Sequence, residues 1–267
     1  MSPLPRVSRA ALGAVLLLAL LPSAHARAAQ GVNLAWNQCF GDAGAVQNGV
    51  FACDTNAGSH VLYGSFVLGA AFPIVIGLEM VVDVESASPT LPAWWEFRND
   101  GTCRTTSLGF EYFPDPLATT CDDWSVGQSA GGLAGYCTLA NAMPIGCGLP
   151  GQPANRARIK TITAVALQNA QDLIANKPYF AFGLRINHAK TVGAGACGGC
   201  ATPVCLVFNS VNVVGRFNWD QRMLTNAANP ASNVVVWQGG GAGGVPGCLL
   251  ATTAKKSTWG AVKSLYR

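Results

Sequence analysis

Charge is scarce in this chain, and it is scarce in a pattern. Only 11% of the residues are Asp, Glu, Lys or Arg while 50% are hydrophobic, a composition that excludes an intrinsically disordered polypeptide. Acids are missing altogether after Asp220, where Arg222, Lys255, Lys256, Lys263 and Arg267 give the end of the chain a charge of +5. Residues 27–220 carry −3, so the tail stands apart as a separate basic element. Without residues 1–26 the net charge is only +2, which gives no reason to expect nucleic acid as a partner.

Long charge-free apolar runs are also few. One is N-terminal: Arg6 and Arg9 precede an apolar run over residues 10–21, and Ala24-His25-Ala26 offers a small-residue cleavage site. This pattern predicts a secretory signal peptide over 1–26, with Arg27 as first mature residue. Cys39 is too far downstream to be a lipoprotein attachment cysteine. The other run, residues 61–78, has 18 residues without charge, the lower end of what crosses a bilayer. Alternation argues for strands instead. Ile74, Ile76, Leu78, Met80, Val82 and Val84 fall on one face, and Val75, Gly77, Glu79, Val81, Asp83 and Glu85 on the other. A break at residues 69–73 separates two strands, and no transmembrane span is expected once the signal is removed.

Helical periodicity is nearly absent. Only residues 164–176, with Leu167, Ala170, Leu173 and Ile174 at roughly helical spacing before Lys177-Pro178, predict a helix. Period-two or β-branched stretches are common: 32–36, 60–67, 93–97, 159–165, 178–188, 204–214 and 234–237. Strands this numerous, joined by Gly/Pro-rich loops, predict an all-β fold, a disulfide-stapled, jelly-roll-like antiparallel β-sandwich with at most one short helix. The expected organisation is a sandwich domain over 27–238, a Gly-rich linker over 239–247 and a basic tail over 248–267.

Cysteine is abundant. In an exported chain the ten cysteines imply five disulfides. Local pairing predicts Cys39 with Cys53, Cys103 with Cys121 and Cys137 with Cys147, leaving Cys197, Cys200, Cys205 and Cys248 for one short bridge and one that ties the tail to the body. Closing a loop of about 15 residues contributes roughly 3 kcal/mol in the chain-entropy model.

Two glycine motifs compete with this plain reading. Gly193, Gly195 and Gly198 match G-x-G-x-x-G, with Asp220 downstream, but Pro203 and a β-rich run follow where a dinucleotide site needs a helix N-terminus. Cys197 and Cys200 form a C-x-x-C without the βαβ unit of a thiol oxidoreductase. With Cys205 and Cys248 they form a four-thiolate set for metal, lacking a second C-x-x-C. Gly127-Gln128-Ser129-Ala130-Gly131 matches G-x-S-x-G, and Asp172 and His188 follow in the chain order of an α/β-hydrolase triad. The apolar strand before such a nucleophile, the helix after it and the oxyanion loop are missing from the sequence.

For binding, Trp94, Trp95 and Glu96 carry the expectation. In a strand over 93–97 the two tryptophans would point to opposite faces, so one would be exposed beside a carboxylate, as in sugar-stacking platforms of carbohydrate-binding modules. Asp122-Asp123 and Asn99-Asp100-Gly101 offer oxygens for Ca²⁺ but match solvated turns as well, and no cofactor or metal is expected. Glu79, Asp83, Glu85, Glu96 and Glu111 would make a glycosidase pair only if the fold set two of them at the right separation.

The C-terminal W-G-x-V-K-x-x-Y-R, from Trp259 to Arg267, and the block G-A-C-G-G-C-x-x-P-V-C-x-V, from Gly195 to Val207, resemble segments of uncharacterised exported proteins of environmental bacteria. Trp259, Val262 and Tyr266 would form a small apolar stripe if helical. The resemblance implies export and no activity. The resulting expectation is a secreted or cell-surface, non-enzymatic β-sandwich that is structural or binds a glycan or other surface component. A serine hydrolase at Ser129, Asp172 and His188, and a thiol site at Cys197, Cys200, Cys205 and Cys248, are the alternatives.

Overall fold

The computed structural model describes residues 31–97, 103–114, 121–138, 153–217, 220–226 and 231–239. The expected signal segment and basic tail lie outside the described residues, as do all but the first position of the linker and Asn99-Asp100-Gly101. Within them the chain forms β1 (Gly31–Trp36), β2 (Asn48–Gly49), β3 (Ser59–Val67), β4 (Phe72–Ser86), β5 (Leu108–Glu111) and β6 (Ala130–Thr138). There follow β7 (Arg156–Ala164), β8 (Gln171–Leu173), β9 (Pro178–Asn187), β10 (Val204–Gly215), β11 (Gln221–Leu224) and β12 (Val234–Trp237). One sheet has the order β1-β3-β9-β5 and the other β2-β12-β10-β4-β7-β6, with β11 on β10 and β8 on β4. Every pairing is antiparallel except that of β12 with β2. This is the all-β, disulfide-stapled sandwich that the alternation predicts.

The inner faces of the two sheets make the core. Leu78, Met80, Val82 and Val84 of β4 are buried together with Leu206, Phe208, Val211 and Val213 of β10, facing Leu62, Phe66, Phe182 and Leu184 of β3 and β9. Burying each such side chain contributes about 1.5–3 kcal/mol. Phe182 and Phe208 meet edge-on across the sandwich, their centroids 4.9 Å apart. Gly64 makes room for that contact: a Cβ there would lie 2.3 Å from the Phe182 ring.

Three sequence expectations fail, each for a local reason. Residues 164–176 are not helical. They finish β7, make a single 3-10 turn at Leu167–Asn169 and form β8, because the backbone there pairs with the start of β4. Leu173 enters the core while Leu167 and Ile174 stay in solvent. Residues 93–97 form a 3-10 turn, Ala93–Trp95, not a strand. The alternation of β4 holds from Leu78 onward but breaks at its start, where a shift against β10 buries Val75 and exposes Ile74. Residues 61–78 are the end of β3 and the start of β4, and no helix among the described residues is long and apolar enough to cross a membrane.

The local pairings of Cys39 with Cys53 and of Cys103 with Cys121 are also overturned. The bridges are Cys39–Cys121, Cys53–Cys200 and Cys103–Cys197, spanning 82, 147 and 94 residues. Topology decides this. Cys121 sits beside Tyr179, where β9 begins, whereas Cys103 sits beside Ala189 and Lys190, just past its end. Cys137 and Cys205 are disulfide-bonded too, while Cys147 and Cys248 lie outside the described residues. These bridges and the all-β fold fit a disulfide-stabilised domain of an oxidising compartment.

Candidate functional site

The sandwich has two dissimilar ends. At one, β3 and β10 begin, β4, β9 and β12 finish, and two disulfides cluster; we call it the disulfide end. At the other, the loop end, β4, β6, β8 and β9 begin and β7 and β10 finish.

The disulfide end is built on aromatics. Trp94 and Trp95, set back to back by their 3-10 turn, are both 0% exposed. Trp237 packs on both, 4.9 Å and 5.5 Å away between centroids, and Trp36 and Phe51 complete the cluster. The anticipated sugar-stacking ridge of Trp94, Trp95 and Glu96 therefore has no exposed indole face. A turn, unlike a strand, carries neighbouring side chains inward together. Trp94 Nε1 donates to Thr191 Oγ1 at 3.0 Å, and Trp237 Nε1 to the Cys200 carbonyl at 2.7 Å.

Arg104, which the sequence reading passed over, is 1% exposed and lies over the Trp94 ring. Its guanidinium donates to the carbonyls of Trp94, Asn187 and Ala189, so backbone dipoles stand in for a carboxylate. Burial draws its pKa below the usual guanidinium value, and it remains a cation at neutral pH. His188 is 2% exposed and neither ring nitrogen has a hydrogen-bond partner. Its ring lies 4.9 Å from that of His60, which packs on Phe51 at 4.0 Å. Burial, and then the charge of Arg104, lower the His188 pKa; burial and then His188 push His60 down to about 4. Both imidazoles are neutral in this apolar setting.

The hydrolase residues are not brought together. Ser129 Oγ donates to the Tyr112 carbonyl at 3.3 Å, and Asp172 accepts from the Ile74 amide at 2.8 Å, both at the loop end. His188 follows the far end of β9, at the disulfide end. The glycines of that motif have separate uses. Gly127 turns the chain at φ 74°, and Gly131 lies so close to β7 that a Cβ would stand 2.1 Å from the Ile162 carbonyl oxygen.

The thiol alternatives fail because Cys197, Cys200 and Cys205 are all in disulfides; Cys248 lies outside the described residues. The C-x-x-C joins neither to itself nor to metal but anchors two different segments, Cys53 and Cys103. Gly193 and Gly195 adopt left-handed turn conformations ahead of β10, and no helix follows.

Of the candidate acids, Glu79, Asp83, Glu85 and Glu111 are engaged with neighbours. Asp83 accepts from Arg158 at 2.5 and 2.7 Å and from Asn209 at 2.6 Å, Glu85 pairs with Arg156, and Glu111 with Arg185. Glu79 accepts from Asn212 Nδ2 at 3.3 Å and raises the pKa of Lys160 against the larger opposing effects of burial and Arg158. Asp122 pairs with Lys177, while Asp123 caps its own turn through Ser125 and Gly127. Among the described residues no group of three His, Cys, Asp or Glu side chains is arranged to hold a metal.

The loop end gathers what the sequence reading missed. Of nine exposed large hydrophobic residues among those described, six are here: Ile74, Phe113, Val126, Leu167, Ile174 and Phe217. Hydrogen bonds tie their loops together, Asn169 to Gln128, Ser129 to Tyr112, and the Ile174 amide to Tyr179 Oη. Leu167 and Ile174 were disguised as a helix face. Val126, isolated between Ser125 and Gly127, was the available signal, a bulky apolar residue in a turn that needs none. No family model, no curated protein and no solved structure matches this chain.

Proposed function

We propose that this protein is a non-enzymatic, exported, disulfide-stabilised β-sandwich that attaches to a cell-surface component through its loop end. The grouping on that end of six of the nine exposed large hydrophobic residues among those described carries the reading. Isolated apolar residues scattered on a surface are ordinary, whereas a cluster of them marks an interaction site. The disulfide framework supplies a rigid support without a demand on the core, and the separation of Ser129 and Asp172 from His188 leaves the loop end without an assembled triad.

Binding of fluorescently labelled protein to envelope fragments of the exporting cell tests this. The variant V126D/L167D, altered at two exposed positions, is expected to bind at least about tenfold more weakly with an unchanged unfolding midpoint. Equal binding by both proteins would show that the loop end is not the attachment surface. A serine-directed fluorophosphonate probe is expected to leave Ser129 unlabelled.

A further inference from the structure

We infer that the loop end is a membrane-interface anchor that dips its apolar tips into a phospholipid surface; this rests on the loop-end reading above and names its partner. The argument starts from side-chain chemistry. Four of the six residues, Ile74, Val126, Leu167 and Ile174, are aliphatic. Aliphatic tips neither stack on sugar rings nor donate hydrogen bonds, so a glycan, which needs aromatic faces and fixed polar groups, gains little from them. Hydrocarbon does gain from them.

Placement points the same way. The six come from six separate segments: the start of β4, the chain after β5, the turn before β6, the 3-10 turn after β7, and the chain following β8 and β10. A bound helix or strand is usually received by a row of pockets along one groove. Six tips spread over separate turns and strand ends, at the end of a rigid sandwich, match a soft planar phase that closes around each. Two of them are held outward at a conformational cost. Ile74 and Val126 are β-branched residues with φ of 51° and 52°, in the left-handed region such residues avoid. Asp172 accepts the Ile74 amide, and the Asp123 carboxylate, bonded to the Ser125 and Gly127 amides, brackets Val126.

The electrostatics select the lipid. At this end, among the described residues, Lys177, Arg216 and Arg222 stand against Asp122, Asp123, Asp172 and Asp220, and most of these charges are engaged. Lys177 is paired with Asp122, Arg222 donates to the Ala70 carbonyl and lies over Phe72, and Asp123 and Asp172 serve backbone amides. A nearly balanced end neither seeks nor avoids anionic headgroups. The fitting surface is zwitterionic, and binding to it is insensitive to salt.

Sedimentation with sucrose-loaded phosphatidylcholine vesicles tests the assignment, with the disulfides intact. The full chain is expected to co-sediment equally at about 0.1 M and about 1 M NaCl. Leu167→Ser with Ile174→Ser should weaken partitioning about a hundredfold, while Val50→Ser, at a highly exposed site outside the loop end, should leave it unchanged. Circular dichroism melts of each variant separate lost binding from lost folding, and Val126→Ser alone, about tenfold weaker, serves if the double variant is unstable. No co-sedimentation, or co-sedimentation only with phosphatidylglycerol vesicles at low salt, overturns the inference. Tip-dependent binding to envelope fragments that survives lipid extraction overturns the lipid assignment and leaves the attachment reading standing; loss of tip dependence there overturns both. A self-associated species in light scattering that the Leu167/Ile174 substitutions abolish would show that the tips meet a second copy instead.

Discussion

Arg104 and Trp94 hold each other in place: the guanidinium carbon stands 3.6 Å from the indole centroid, and the same guanidinium donates to the Trp94 carbonyl at 2.8 Å. One residue thus satisfies a main-chain acceptor and covers an aromatic face. Two further bonds, to Asn187 and Ala189, join the end of β9 to the tryptophan turn.

Arg104→Met is expected to destabilise the protein by about 3 kcal/mol, since it strands buried carbonyls while keeping most of the apolar stem. Arg104→Lys should recover only part of that loss, because an ammonium lacks the planar fork that reaches acceptors on different segments. Urea unfolding followed by tryptophan fluorescence measures both.

Acid should loosen the same end. His60 and His188 have folded-state pKa values below 6.5, so between pH 6.5 and about 4 the unfolded chain binds more protons than the folded one. Stability is complete above the unfolded value and falls as the pH drops through that window. Melting temperature measured from pH 8 to pH 4 is expected to decline there, and to decline less in His188→Phe, which loses no hydrogen bond because the ring makes none.

The bridges should matter more than their local alternatives would. Loops of 82, 147 and 94 residues each contribute about 4–5 kcal/mol in the chain-entropy model. Non-reducing peptide mapping is expected to recover Cys39–Cys121, Cys53–Cys200 and Cys103–Cys197, and reduction to lower the unfolding midpoint sharply.

Gly131→Ala is expected to cost about 2–3 kcal/mol by prising β6 from β7, since its Cβ would collide with main chain that cannot move aside. Ser129→Ala should cost under about 1 kcal/mol, the ordinary worth of one weak hydrogen bond. The contrast, read by chemical denaturation, separates a packing glycine from a catalytic motif.

The sheets were legible because a strand's period of two, or a β-branched run, is written in neighbouring residues: β1, β3, β4, β7, β9 and β10 show the first and β12 the second. The glycine-rich β6, the four-residue β5 and the three-residue β8 carry too little side-chain pattern to show it. The bridges were illegible because they depend on which strand ends share a side of the sandwich, a property of topology and not of spacing. Trp94 and Trp95 misled for a related reason: adjacent bulky residues look two-faced in a strand, and only the turn that the fold imposes sends both inward. Loop-end residues such as Val126 and Leu167 become noticeable only once separate turns are known to meet.

The overlapping bridges alter what a broken backbone would mean. Any single cut between Cys39 and Cys200 leaves the two pieces joined by at least one disulfide, and a cut between Cys103 and Cys121 leaves them joined by three. A protease that nicks this stretch divides the chain without dividing the molecule: the cut adds only the mass of one water, and two fragments separate only after a reductant is added.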